Sequence, residues 1–154
     1  MEPIFDFFGE SGLGVWIRNS RYAFPAVEMV HLLGLGLFLG SILLLNARFF
    51  NLGLKREKVS ELVEDLAPWT RLSLIVMAIS GVALFCSKAP DLWDMDRDGF
   101  YLKMILLALG TVFHYTVQAP LARKENLRAG KLAAAVSLAL WFGGALAGLS
   151  LEFL

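Results

Sequence analysis

The stretch from Phe24 to Arg48 constrains the fold of this chain more than any other. It is apolar along most of its length, yet it carries Glu28 and His31 near its start. A helix of about 20 apolar residues is long enough to cross a bilayer. Residues three apart share one face of a helix, and ionisable groups inside a membrane segment are costly and usually functional. This face is therefore the first candidate for a site.

The composition is that of an integral membrane protein. Apolar residues make up 57% of the 154 residues and charged residues only 18%, whereas soluble domains carry about a quarter. The net charge is zero, so we expect no nucleic-acid partner. The single cysteine, Cys86, excludes an internal disulfide and a cysteine-ligated cluster. The acidic start does not resemble a secretory signal.

Four apolar runs predict an all-α, four-helix membrane bundle that forms one domain. Pro68 opens the second crossing and Pro120 stops the third, and residues 59–66 have the pattern of a short amphipathic helix. Residues 3–19 are too charged to cross, so we expect an interfacial segment, with a frayed terminus as the alternative. The crossings are expected at about residues 20–46, 68–87, 100–119 and 131–151.

The connections predict the orientation of the chain in its membrane, with both basic connections facing the cytoplasm. The N-terminal stretch and the 88–99 loop are acidic, and by the positive-inside rule both termini then face outward. The Asp94–Gly99 stretch matches the opening of a calcium-binding loop, but Ile105 replaces the glutamate expected at its last position. A solvated acidic loop is therefore favoured there. The connections after the first and third crossings hold the basic residues Arg48, Lys55, Arg56, Lys58, Arg123, Lys124, Arg128 and Lys131.

A second polar stripe follows the third crossing. Lys103 and His114 lie on one face of it, as Glu28 and His31 do on the first crossing. Two neutral imidazoles that face each other across a helix bundle can be the axial ligands of a b-type haem. Glu28 and Lys103 are also plausible ion-pair partners, because an unpaired charge in lipid is expensive.

Small and basic residues near these stripes suit the same cofactor. Gly34 and Gly110 would give a flat macrocycle room. The propionates could be held near a membrane face by Arg21 or Lys103 outside, or by Arg48 or Arg71 inside. The alternative is that the glycines only pack helices, as in small-xxx-small pairs, which would also allow self-association.

The depths of the two histidines decide whether one haem can join them. Counted from Ser20, His31 lies about 16 Å into its helix, and counted from Phe100, His114 lies about 21 Å in. If the first helix begins at Phe24, the difference doubles to about 10 Å. One haem held by both histidines and a haem held by a single histidine both remain open.

Four short motifs carry a resemblance to known proteins. They are P-x-x-E-x-x-H-x-x-G at 25–34, NAR at 46–48, FYLKM at 100–104 and FH at 113–114. With them the chain resembles a family of small bacterial four-helix membrane proteins of unassigned function. More distantly, it is similar to CopD-type copper-resistance membrane domains and to HemJ-type protoporphyrinogen oxidase.

The HemJ-type resemblance implies b-haem binding at His31, Arg48, Lys103 and His114. The leading hypothesis is a membrane-embedded b-type cytochrome that passes electrons between a quinol and a partner protein. One alternative is porphyrinogen oxidation of the HemJ type. The other is a non-catalytic subunit or small-solute carrier in which Glu28, His31 and Lys103 form a proton-linked site.

Overall fold

The described part of the chain is built from helices. The computed structural model describes residues 3–53, 56–95 and 97–153, with side chains for residues 5–53, 56–92 and 98–146. A π-helical turn, His114–Gln118, joins the fifth helix to the sixth. The helices are α1 (Pro3–Gly9), α2 (Gly12–Asn19), α3 (Ala23–Phe49), α4 (Val59–Met95), α5 (Arg97–Phe113), α6 (Ala119–Arg123) and α7 (Leu127–Phe153).

Four long helical segments confirm the predicted membrane bundle. Ala23–Phe49, Val59–Leu92, Asp98–Arg123 and Leu127–Leu146 are each long and apolar enough to cross a bilayer. Many large apolar side chains point away from the protein, among them Leu33 at 71% exposed and Leu132 at 72%. Such a surface needs lipid rather than water around it. The protein is therefore a multi-pass membrane protein.

Helix α4 is longer than the sequence pattern indicates. Pro68 does not begin it and residues 59–66 do not form a separate helix, because α4 runs without interruption from Val59 to Met95. Most of the expected 88–99 loop is therefore helical, and of the Asp94–Gly99 stretch Asp96 lies outside the described residues. A proline inside a helix removes one backbone hydrogen bond. Packing of another segment against that position can offset the loss.

The neighbour of Pro90 is the N-terminal segment. Pro90 cannot donate to the Cys86 carbonyl, and Gly14 of α2 packs directly against that carbonyl oxygen. A Cβ atom added to Gly9 would lie 3.0 Å from the Pro90 ring. Arg18 also donates to the carbonyls of Ser87 (3.3 Å) and Gly9 (3.2 Å). Residues 3–19 are thus packed against α4, and their position at the membrane interface stays a prediction.

Helix α3 begins at Ala23, between the two expected starting residues Ser20 and Phe24. It packs closely on α4. The backbone N–H of Ala23 donates to Ser20 Oγ (3.2 Å), so Ser20 acts as a cap although the helix begins at Ala23. A Cβ atom on Gly34 would lie 3.1 Å from Met77 Cγ. Gly34 therefore faces α4, so its expected place beside a macrocycle is not what the structure shows.

The middle of the bundle is filled by side chains of the chain itself. Phe38, Ile42, Met77 and Trp141 form a buried cluster, which we call the middle layer. The Phe38 and Trp141 rings meet edge to face with centroids 4.6 Å apart. Atoms of the Trp141 indole lie 3.0–3.3 Å from where a Cβ of Gly110 would be. The flat group that Gly110 accommodates is thus an indole of α7.

Substituting Gly110 tests this packing. We expect Gly110→Ala to lower the free energy of unfolding by about 1–3 kcal/mol, because the added methyl group overpacks the Trp141 ring. Gly36→Ala is the matched control, since no atom lies within 4 Å of a Cβ at Gly36. It should change stability by less than about 1 kcal/mol. Unfolding of both variants in the same detergent measures the difference, and equal stabilities would contradict the packing.

Candidate functional site

The polar stripes of the sequence become two separate clusters. The His31 cluster contains Glu28, His31, Ser80 and Lys103, and the His114 cluster contains Asn46, His114, Gln118 and Ser137. The second lies toward the end of the bundle that holds the connections 50–58 and 124–126, which we call the basic end.

The contact with Ser80 determines which ring nitrogen of His31 carries the proton in the neutral imidazole. His31 Nδ1 lies 2.9 Å from Ser80 Oγ, and Ser80 Oγ donates to the Val76 carbonyl at 2.6 Å. Because that hydroxyl proton is already used, Nδ1–H is the donor to Ser80. In a neutral imidazole the lone pair is then on Nε2. A Cβ on Gly81 would lie 3.3 Å from His31 Cε1, so Gly81 leaves room for the ring.

Lys103 is grouped with His31 because its charge acts on that ring from α5, although α3 and α5 make no close backbone contact. Glu28, one turn before His31, is half-buried. In the part of the chain that the structure describes, the Glu28 carboxylate has no hydrogen bond or ion pair, so the expected Glu28–Lys103 ion pair is not formed.

His114 begins the π-helical turn and is buried, with 4% of its surface exposed. Pro120 explains the turn, because it lacks an N–H and its ring would collide with the carbonyl four residues back. The Ala119 N–H bonds instead to the His114 carbonyl, one residue further than in an α-helix. Turns of this kind occur mostly as single insertions and often at functional sites.

The Gln118 carboxamide joins three helical segments. Its Nε2 donates to Asn46 Oδ1 of α3. Its Oε1 accepts from His114 Nδ1 at 2.9 Å and from Ser137 Oγ of α7 at 3.3 Å. The Asn46 amide also donates to Ser137 Oγ (3.4 Å). All four side chains are buried. Gln118 lies on the same predicted stripe as His114, and their four-residue spacing favours such a contact. Ser137 is not among the predicted residues.

The residues do not fit a single haem held by both histidines. Asn46 lies 15 positions after His31 on α3, or about 22 Å along the axis. His114 is one turn before Gln118, the partner of Asn46, so the two histidines differ in depth by roughly 15 Å. The middle layer, with Phe38 against Trp141, occupies the space between them.

The expected contact between Arg48 and a haem propionate is not supported, because Arg48 has other hydrogen-bond partners. The Arg48 guanidinium donates to the Glu57 carbonyl (2.8 Å) and to Asn51 Oδ1 (3.1 Å), so it holds the turn after α3. Among the residues the structure describes, no group of three or more His, Cys, Asp or Glu side chains could hold a metal ion. A haem ligated by one histidine is the arrangement still compatible with these positions.

The sequence comparison places the chain in a family. A model for a family of unknown function, DUF6644, matches residues 8–153. The chain is a member of the DUF6644 family. This confirms the resemblance to a family of unassigned function. No curated protein and no solved structure matches the chain, so the similarity of this DUF6644 member to CopD-type and HemJ-type proteins stays a prediction.

The His114 cluster should contribute strongly to stability. We expect Gln118→Leu to cost about 2–4 kcal/mol, because it leaves His114, Asn46 and Ser137 without a shared buried partner. Thr116→Val in the same π-helical turn is the control, since Thr116 is exposed and bonds only to the Val112 carbonyl. It should cost less than about 1 kcal/mol. Equal losses in unfolding measurements would show that the network carries no special weight.

Proposed function

We propose that the protein is a membrane-embedded b-type haem protein in which His31 alone supplies the protein ligand. The observation that carries this proposal is the hydrogen bond from His31 Nδ1 to Ser80 Oγ. It leaves Nε2 as an electron-pair donor and holds the ring in one orientation. Second-shell hydrogen bonds of this kind orient histidine ligands and raise their basicity.

Lys103 supports the same proposal through its charge. A haem has two propionate carboxylates, which favour a cation near a membrane face. The charge of Lys103 acts on the His31 ring from α5. When bound, the haem would supply one-electron chemistry, and we propose that the protein uses it between a quinol and a partner protein. In this proposal the role of His114 is structural, because its ring is buried in the hydrogen-bonded network of Gln118 and the middle layer separates it from His31.

A second function is favoured by the position of Glu28. Its carboxylate is half-buried one turn from His31, with no polar partner among the described residues. A carboxylate, an imidazole and an ammonium together inside a membrane helix bundle are typical of proton-linked sites. We infer that a small-solute carrier or non-catalytic subunit is the alternative if the protein binds no haem.

A visible spectrum separates the two functions. Protein purified from haem-replete cells should show a Soret band that shifts on reduction with dithionite. We expect His31→Ala to abolish the band. His114→Ala should keep it while lowering the unfolding temperature, because the His114 cluster stabilises the fold rather than the haem. A colourless wild-type protein, or loss of the band in His114→Ala alone, would sink the His31 proposal.

The orientation proposal can be tested by cysteine labelling. We propose that the basic end faces the cytoplasm and that both termini face outward, because an excess of Lys and Arg favours the cytoplasmic side. In a Cys86→Ala background, Glu10→Cys should react with an impermeant maleimide in intact bacterial cells. Lys124→Cys should react only after permeabilisation, since both residues are exposed in the structure but lie at opposite ends. The reverse labelling pattern would contradict the proposed orientation.

A further inference from the structure

A cavity opens at the basic end beside the His114 cluster. Its volume is about 20 Å³, and its polar lining comes from Ser41, Thr70, Arg71, His114, Tyr115 and Arg123. Space of this size holds about one water molecule. The guanidinium groups of Arg71 and Arg123 border this pocket. A ligand larger than a water molecule cannot enter it and must bind at its mouth.

The two arginines differ in their partners. Arg123 Nε lies 2.6 Å from a carboxylate oxygen of Glu64, which neutralises that guanidinium. For Arg71, no hydrogen bond or ion pair is found with any residue that the structure describes. The Ser41 and Thr70 hydroxyls already donate to backbone carbonyls of their own helices. The pocket mouth thus keeps one uncompensated positive charge.

The exposed side chains around Arg71 indicate its depth in the membrane. Trp69, Leu72 and Ile75 of the same helix are 51–57% exposed, so this part of α4 faces lipid. Tryptophan side chains favour the interface between hydrocarbon and headgroups, and long basic side chains extend toward that interface. Arg71 is therefore placed where the phosphates of membrane lipids lie.

We propose that Arg71 and Arg123 bind a phosphate group at the mouth of this pocket. Guanidinium groups match phosphate oxygens in a bidentate way. The single Glu64 carboxylate acts on both arginines, so one positive charge is left over. The phosphate can come from the headgroup of an anionic lipid or from free inorganic phosphate. This site is independent of the haem proposal, because it lies on the other side of the middle layer from His31.

Native mass spectrometry in detergent tests the site with three probes. They are dioctanoyl phosphatidylglycerol, inorganic phosphate and dioctanoylglycerol, which has the same acyl chains without phosphate. We expect Arg71→Gln to weaken binding of the phosphate-bearing probe about tenfold, as for the loss of one charge-assisted contact. Arg128→Gln is the matched control, because it removes an exposed arginine from the basic end but not from the pocket. It should leave binding within about twofold.

The outcomes distinguish the source of the phosphate as well as the site. Arg71-dependent binding of phosphatidylglycerol alone supports a lipid headgroup, and Arg71-dependent binding of inorganic phosphate alone supports a soluble anion. Equal losses in Arg71→Gln and Arg128→Gln would indicate general attraction to positive charge and overturn the site. Binding of dioctanoylglycerol as tightly as phosphatidylglycerol, or no effect of Arg71→Gln, would overturn it too. Unfolding temperatures of the probe-free variants check that both are folded.

Discussion

The half of the bundle at the basic end depends on the hydrogen bonds of the Gln118 carboxamide. They join α3, the π-helical turn and α7 through Asn46, His114 and Ser137. In a membrane no water can replace a missing partner, so a buried polar group must be satisfied by the protein. A shift of one helix by one turn would break several of these bonds at once. The network therefore fixes the relative depth of three helices.

This register explains why the two histidines do not meet. Once Asn46 is level with Gln118, His31 is about two-thirds of a bilayer's hydrocarbon thickness away along α3, since 15 residues span about 22 Å. The space between is then filled by Phe38, Met77 and Trp141. Both rings use Nδ1 as the hydrogen-bond donor, to Ser80 in one case and to Gln118 in the other. Cationic side chains act on both rings, Lys103 on His31 and Arg123 on His114. The two rings differ in burial, because His114 is enclosed in the Gln118 network whereas His31 is only half-buried.

Much of the fold follows from hydropathy and spacing, but the site follows only in part. The four apolar runs predict the four long helices, whereas the ion pair expected between Glu28 and Lys103 is not formed. The prediction could not place the large Trp141 indole on Gly110, because helical periodicity does not say which side chain of another helix fills a gap. The continuous α4 was missed for a similar reason: its passage through Pro90 depends on Gly14, a residue distant in sequence.

The length of α4 has a consequence for whatever lies beyond the membrane. Its 37 residues extend about 55 Å, whereas the hydrocarbon core is about 30 Å thick. The first turns of α4 are tied to the connection before α7, because Ser60 donates to Glu125 (2.6 Å) and Glu64 pairs with Arg123 (2.6 Å). The helix start and this connection are thus joined by two side-chain contacts at the basic end. Near its other end, α4 is packed at Pro90 against the N-terminal helices. The parts of α4 that exceed the hydrocarbon thickness are therefore held by other segments of the chain.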